Sequence, residues 1–335
     1  MQVPRGSRRR RGAHLATTAL VFVLLTVPLV IRAQQAGKVW RIGFLGTVPP
    51  PLFETFRQAL GDLGWIEGRN LAIERRATGQ DGRLDDQAAA LIRLKVDVII
   101  APGGLAVRAA RAATSTIPII MIAGLDPVAT GLVTSLSRPG GNITGFAIGA
   151  SPEIVAKWLE LLKEAVPTVA RIAVLVDGRQ HAEEQESNLK RMEAAARSLR
   201  VDLRHLVVGG PDQFEGAFID AARGGANAMV IMTTPMLDVH QERIIALTLR
   251  HRLPSIAHFG SYAAAGGLMS YGPDLPALFR STATYTDRIL KGTNPADLPV
   301  QQPAQPKLLL NLKTAKALRI AIPPALLLRA DQVIE

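Results

Sequence analysis

The residues that could do chemistry are few and widely spaced. Six histidines, His14, His181, His205, His240, His251 and His258, are scattered along the chain, and no two fall at metal-ligand spacing on a helix. There is no cysteine, which excludes thiol nucleophiles, disulfides and a lipid-modified N-terminal Cys. No Gly-x-Gly-x-x-Gly follows the first strand, and no phosphate loop or Gly-x-Ser-x-Gly elbow occurs. Nothing supplies a nucleophile with a base, so no catalytic residue, no metal and no cofactor is expected.

What stands out instead is a set of small and polar residues just after strand-like runs. They are Gly46-Thr47, Pro102-Gly103-Gly104, Leu125-Asp126-Pro127, Asp177-Gly178, Thr233-Thr234-Pro235 and His258 to Tyr262. Glycine lets a backbone approach a ligand closely, and the free N–H groups of a following helix suit a carboxylate. Gly103-Gly104 fits an anionic group best. Asp126 or Asp177 can accept an ammonium, and Phe259, Tyr262 or Tyr271 can cover an apolar part. Each residue alone has a plainer reading. Strand-end glycines are ordinary turn residues, Asp126 before Pro127 can cap a following helix, Asp177-Gly178 is a common turn pair, and Tyr271 can face a core. The signal lies in the set.

The elements that position these loops alternate. Val39–Gly46, Asn70–Arg75, Val96–Ala101 and Ile119–Ala123 read as strands. Between them, Leu52–Leu63, Leu84–Leu94 and Leu105–Ala113 read as helices. A Gly-broken amphipathic segment then runs to Pro139-Gly140-Gly141-Asn142, and a new strand begins at Ile143. The pattern starts over with helices at Pro152–Val166, Glu183–Leu199, Asp212–Ala222 and Leu237–Arg250. Strands fall at Arg171–Val176, Asp202–Val208, Ala228–Met232 and Pro254–Ala257. Such alternation means βαβ units and a parallel sheet. Leu268–Tyr271 reads as a strand returning towards the first module, followed by a helix over Leu275–Leu290. An extended Pro- and Gln-rich stretch leads to a strand at Leu308–Leu310, a helix at Leu312–Leu318 and an amphipathic tail over Ala325–Ile334.

The chain has 335 residues, 48% of them apolar but only 4% aromatic, so two largely aliphatic cores are expected. Residues 1–36 hold six arginines and no acid, and without them the net charge falls from +11 to +5. The remaining charges alternate along helices, so no nucleic-acid partner is expected. Arg8–Arg11, the apolar run Leu15–Ile31 and the small residues around Ala33–Ala36 have the layout of a secretory signal peptide. The alternative is an uncleaved anchor, for which the run is at the short end of the roughly 17–25 residues a membrane helix needs.

The segments IGFLG, LGWIEGRNLAIERR, VDVIIAPGG, IPIIM, DPVATGLVTSLSRPGGNITGF, KWLELLKEAVP, GGLMSYGPD, RILKGTNPADLPVQQP and NLKTAKAL together resemble one family. It is the exported solute-binding protein family of ABC importers that includes tryptophan- and tyrosine-type binders. The resemblance covers nearly everything after the leader. It implies an α/β, two-lobed periplasmic-binding-protein fold, each lobe a parallel-sheet α/β sandwich, joined by a multi-strand hinge. The expected division is 1–36 signal peptide, 37–147 plus 270–292 for lobe 1, and 148–269 plus 300–335 for lobe 2. A solute in the inter-lobe cleft would meet Thr47, Gly103, Gly104 and Asp126 from the first lobe. From the second it would meet Asp177, Thr234, Pro235 and the His258–Tyr262 loop, with Tyr271 beside them. The implied partners are an ABC permease and its ATPase, with the protein itself a periplasmic monomer. One departure is visible: Arg319 stands where a glycine helix cap is expected after Leu318. The loops Val48–Pro51 and His258–Tyr262 match the family least, so an aromatic amino-acid ligand does not transfer directly. A sensor feeding a chemoreceptor or kinase, an enzyme on the same fold and, last, a transcriptional regulator are the rival readings.

Overall fold

In the computed structural model the described residues are 1–2, 38–76, 83–124, 126–149, 152–179, 182–302 and 305–335. The expected leader, apart from Met1 and Gln2, and Leu125 and His181 lie outside them. Among the described residues, no helix is long and apolar enough to cross a membrane.

Two sheets organise the unit Trp40–Glu335. The first contains β1 (Trp40–Leu45), β2 (Leu71–Arg76), β3 (Val98–Pro102), β4 (Ile119–Ala123) and β5 (Ile143–Ala147). Its order is β2-β1-β3-β4-β5, all parallel. The central strands Val98–Pro102 and Ile119–Ala123 are continuous apolar runs because helices cover both faces. On one face Phe44, Phe53, Phe56 and Leu60 pack with Leu278, Phe279 and Tyr285. On the other, Leu45, Leu91 and Ile99 pack with Ala106, Val107 and Ala110.

The second sheet contains β6 (Arg171–Asp177), β7 (Asp202–Val208), β8 (Ala228–Ile231), β9 (Ser255–Ala257), β10 (Met269–Gly272), β11 (Lys307–Asn311) and β12 (Gln332–Ile334). Its order is β12-β11-β10-β9-β8-β6-β7. It is mixed rather than purely parallel, because β11 runs antiparallel to β10. Trp158, Leu159 and Leu162 pack one face, and Phe214, Phe218, Ile244 and Tyr262 the other.

The chain passes between the sheets three times. It leaves β5 for the helix Pro152–Ala165, which packs beside β9 and β10. It returns after β10 into the helix Leu275–Leu290, which packs on the helix Pro50–Asp62 and on β3, β4 and β5. It leaves again between Gln301, which pairs with the β5 strand, and Lys307. The strand expected over Leu268–Tyr271 to return to the first module forms at Met269–Gly272 and is a member of the second sheet. The return comes one turn later, where Asp274 caps the next helix by accepting the Ala277 N–H at 2.8 Å.

Other expectations shift locally. The helix expected over Leu237–Arg250 is two, Pro235–Val239 and Gln241–Arg250, because Thr234 caps an earlier start and His240 breaks the run at φ −101°, ψ 18°. Asp212 does not cap a helix: it sits in a 3-10 turn, and the helix Phe214–Arg223 begins without a side-chain cap. The C-terminal tail is a helix, Pro324–Arg329, then a strand that pairs with β11. The segment after Asp126 is a series of turns rather than a helix. Arg319 takes the left-handed conformation, φ 60°, ψ 39°, that the missing glycine would have supplied.

Candidate functional site

Strand order decides where a ligand fits. In the first sheet β1 lies between β2 and β3, so successive crossovers leave it on opposite sides. In the second, β6 lies between β7 and β8 in the same way. Each is a topological switch point, where a crevice opens past the carboxyl ends of the strands. The loops after β1 and β3 hold Thr47, Gly103 and Gly104. The loops after β6 and β8 hold Asp177, Thr234 and Pro235. Six of the ten expected residues therefore stand at the two switch points.

At the first switch point the backbone does the work. Gly46 has φ 121° and lies against the Pro102 carbonyl, so the Thr47 loop runs beside the Gly103 loop, with Thr47 exposed. Gly103 has φ 91°, a left-handed conformation that favours glycine, and its N–H donates to the Ile122 carbonyl at 2.8 Å. That donor is spent. The helix Gly104–Ala113 has no side-chain cap, so its free first-turn donors begin at Gly104. One loop further out, Asp126 is exposed and its Oδ1 accepts the N–H groups of Val128 and Ala129, both at 3.0 Å. The side chain serves its own turn.

At the second switch point buried side chains do the work. Asp177 is only 4% exposed. Its Oδ1 accepts the Arg179 backbone N–H and Nε–H, both at 3.0 Å. Its Oδ2 accepts Arg179 Nη2–H and the Thr234 hydroxyl, both at 3.1 Å. Thr234 in turn accepts the Leu237 N–H at 3.2 Å and so caps the short helix that Pro235 opens. Asp238 in that helix is half-buried, and burial pushes its carboxyl up to about 7. Sequence reading missed both Arg179 and Asp238. The signal for Arg179 was its place two residues after a strand-end Asp, where a side chain can fold back on the carboxylate.

Of the remaining expected residues, His258 follows β9, Tyr262 lies in the short helix Gly260–Ala264 and Tyr271 lies on β10. His258 is buried, its Nε2 has no hydrogen-bond partner, and burial pushes its pKa down to about 3, so it is neutral. Its ring stacks on Phe259 at 4.9 Å and meets the edge of Trp158 at 5.4 Å. Trp158 Nε1 donates to the Tyr271 carbonyl at 2.7 Å, and half-buried Tyr271 packs on the second-sheet core. Tyr262 lies inside the opposite core, its hydroxyl 2.7 Å from Ser255 Oγ, and burial pushes its pKa up to about 12. A side chain at Gly267 would run into the Tyr262 ring, which shows how closely that ring is held. Phe259 touches both halves: it stacks on His258 and packs against the first-sheet cluster of Phe44, Phe53 and Leu278.

Among the described residues, no three His, Cys, Asp or Glu side chains are grouped to hold a metal. The arrangement offers backbone donors, one ion pair, hydroxyls and an aromatic face, which is chemistry for holding a small polar molecule.

Comparison with known proteins agrees with this reading. The profile described as ABC transporter substrate binding protein matches residues 52–334. A tyrosine-binding protein of Clostridioides difficile is 27% identical over 266 residues, covering 78% of this chain and 75% of that one. A conserved domain protein from Vibrio cholerae superposes with TM-score 0.79 at 25% identity, covering 88% of this chain and 100% of the other. A streptococcal ABC domain crystallised with L-Trp superposes with TM-score 0.76 at 23% identity, covering 88% and 99% of the two chains.

Proposed function

The chain belongs to the ABC transporter substrate binding protein family, and from that premise we propose that it is an exported receptor for a small solute. It holds an amino acid or small carboxylate-like metabolite between the carboxyl ends of its two sheets. It then delivers the solute to a membrane permease powered by an ATPase. It acts as a binder, not an enzyme. The observation that supports this most is the pairing of two switch points, one per sheet, with Phe259 in contact with both halves. The three crossings between the sheets supply a hinge about which such halves can close. The tyrosine-binding relative and the L-Trp-bound neighbour favour an amino acid as the first class to test.

The experiment is a thermal-shift screen with the twenty amino acids and a set of mono- and dicarboxylic acids. A ligand bound only by the native state stabilises it by about 2.7 kcal/mol at a hundred times its Kd. At least one solute is expected to raise the melting temperature in a saturable way. No shift across the whole set would overturn the proposal.

A further inference from the structure

Asp177 is placed to receive a ligand, yet it has no capacity left to do so. An ionised carboxylate offers about four lone-pair sites. Here two contacts fall on each oxygen: the Arg179 backbone and Nε on Oδ1, Arg179 Nη2 and Thr234 Oγ1 on Oδ2. The Asp177 side chain is 5% exposed, whereas the Arg179 side chain is 57% exposed. The buried partner is saturated; among the described residues the exposed partner is not.

Guanidinium carries five N–H donors in a rigid plane. Asp177 takes Nε–H and one from Nη2. Among the described residues, none accepts from the edge formed by Nη1 and the second Nη2 hydrogen. That edge has the spacing of the two oxygens of a carboxylate. The Asp177 hydrogen bond raises the pKa of Arg179 further, so the group stays charged. Folding a long side chain back onto Asp177 costs rotamer entropy before any ligand arrives, which leaves less to be lost on binding. The location matters as much as the chemistry: Arg179 sits at the end of β6, on the switch-point side next to the β8 loop that bears Thr234.

We infer that Arg179 is the anion-receiving arm of the second half, held by Asp177 and Thr234, and that the solute carries a carboxylate which this guanidinium grips end-on. Asp177 is then a positioning residue rather than an ammonium acceptor. This rests on the reading of the chain as a solute receptor and names the charge its solute must bear.

The test is isothermal titration of the full chain and of Arg179→Gln and Arg179→Lys. The titrants are the acids of the solute screen, each paired with its amide or its decarboxylated amine (L-tyrosine with tyramine, 3-phenylpropionate with 3-phenylpropionamide). Wild type is expected to prefer the acid of a pair at least tenfold. Arg179→Gln should abolish that preference, and Arg179→Lys should recover only part of it. Circular dichroism checks that each variant is folded. A merely structural role would weaken acid and amide alike, so an unchanged acid-to-amide ratio in Arg179→Gln overturns the inference and leaves the receptor reading standing. Preference for the amine or amide in wild type also overturns it. Binding of no titrant at all overturns both readings.

Discussion

The two switch points solve one problem with different materials. The first is made of backbone: Gly46 and Gly103 at positive φ and an uncapped helix N-terminus, with Asp126 one loop further out exposed and bonded to its own turn. The second is made of buried side chains: Asp177 and Thr234 are each under 5% exposed. Backbone donors bind whatever oxygen comes near and discriminate little. Buried, hydrogen-bonded side chains have fixed charge and direction, and a mismatched partner leaves them unpaired at a cost. The first end is therefore suited to holding and the second to choosing.

The two halves differ most in tolerance to added bulk. A methyl at Gly272 would run into the His258 carbonyl and ring. Gly272→Ala is expected to cost about 3 kcal/mol in urea unfolding, since a packed backbone cannot give way cheaply. At Gly103 nothing lies within 4 Å of an added Cβ, and only the φ of 91° is unfavourable. Gly103→Ala should cost about 1 kcal/mol. Equal costs would erase the distinction.

A pH series next tests burial within the second half. Burial holds His258 at about 3, well below the ordinary histidine value of 6.5. As pH falls below about 6.5 the unfolded chain takes the proton first, and this group removes about 1.4 kcal/mol per unit. Asp238 works the other way. Burial raises it from 3.8 to about 7, so the folded chain takes its proton first as pH falls through 7, and stability rises until about 3.8. The two slopes oppose one another between about pH 6.5 and 4 in wild type. Asp238→Asn should stabilise the chain at pH 8, on the order of 1 kcal/mol, and show a steeper loss towards pH 4.5. His258→Phe alone leaves only the Asp238 slope, so its stability should rise as pH falls from about 6.5 to 4.5. Unchanged slopes in both variants would contradict the burial argument.

The smallest effect lies outside both ends. Arg319→Gly relieves a left-handed φ of 60° and should add roughly 0.5–1 kcal/mol without altering solute binding.

Strand runs such as Val98–Pro102 and Ile119–Ala123 are legible in the sequence because both faces are covered and every position is apolar. The helix of Leu275–Leu290 is legible because its apolar spacing and Asp274 cap agree. Sheet membership of Met269–Gly272 is not, since pairing with β9 and β11 is decided by partners far along the chain. The same holds at the site. Glycine-rich loops after β1 and β3 announce themselves, as do Asp177 and Thr234. Their meeting at 3.1 Å does not, because it depends on β6 and β8 lying side by side. Nor does the role of Tyr262, which reads as a loop aromatic but faces the core because a short helix at Gly260–Ala264 turns it inward.

The most direct measurement is amide hydrogen exchange of the full chain with and without the solute that most raises its melting temperature. Protection is expected together at residues 103–106 and at residues 177–179 and 234–238, one set from each sheet. Protection confined to one sheet, with the other unchanged at saturating solute, would contradict a ligand held between the two.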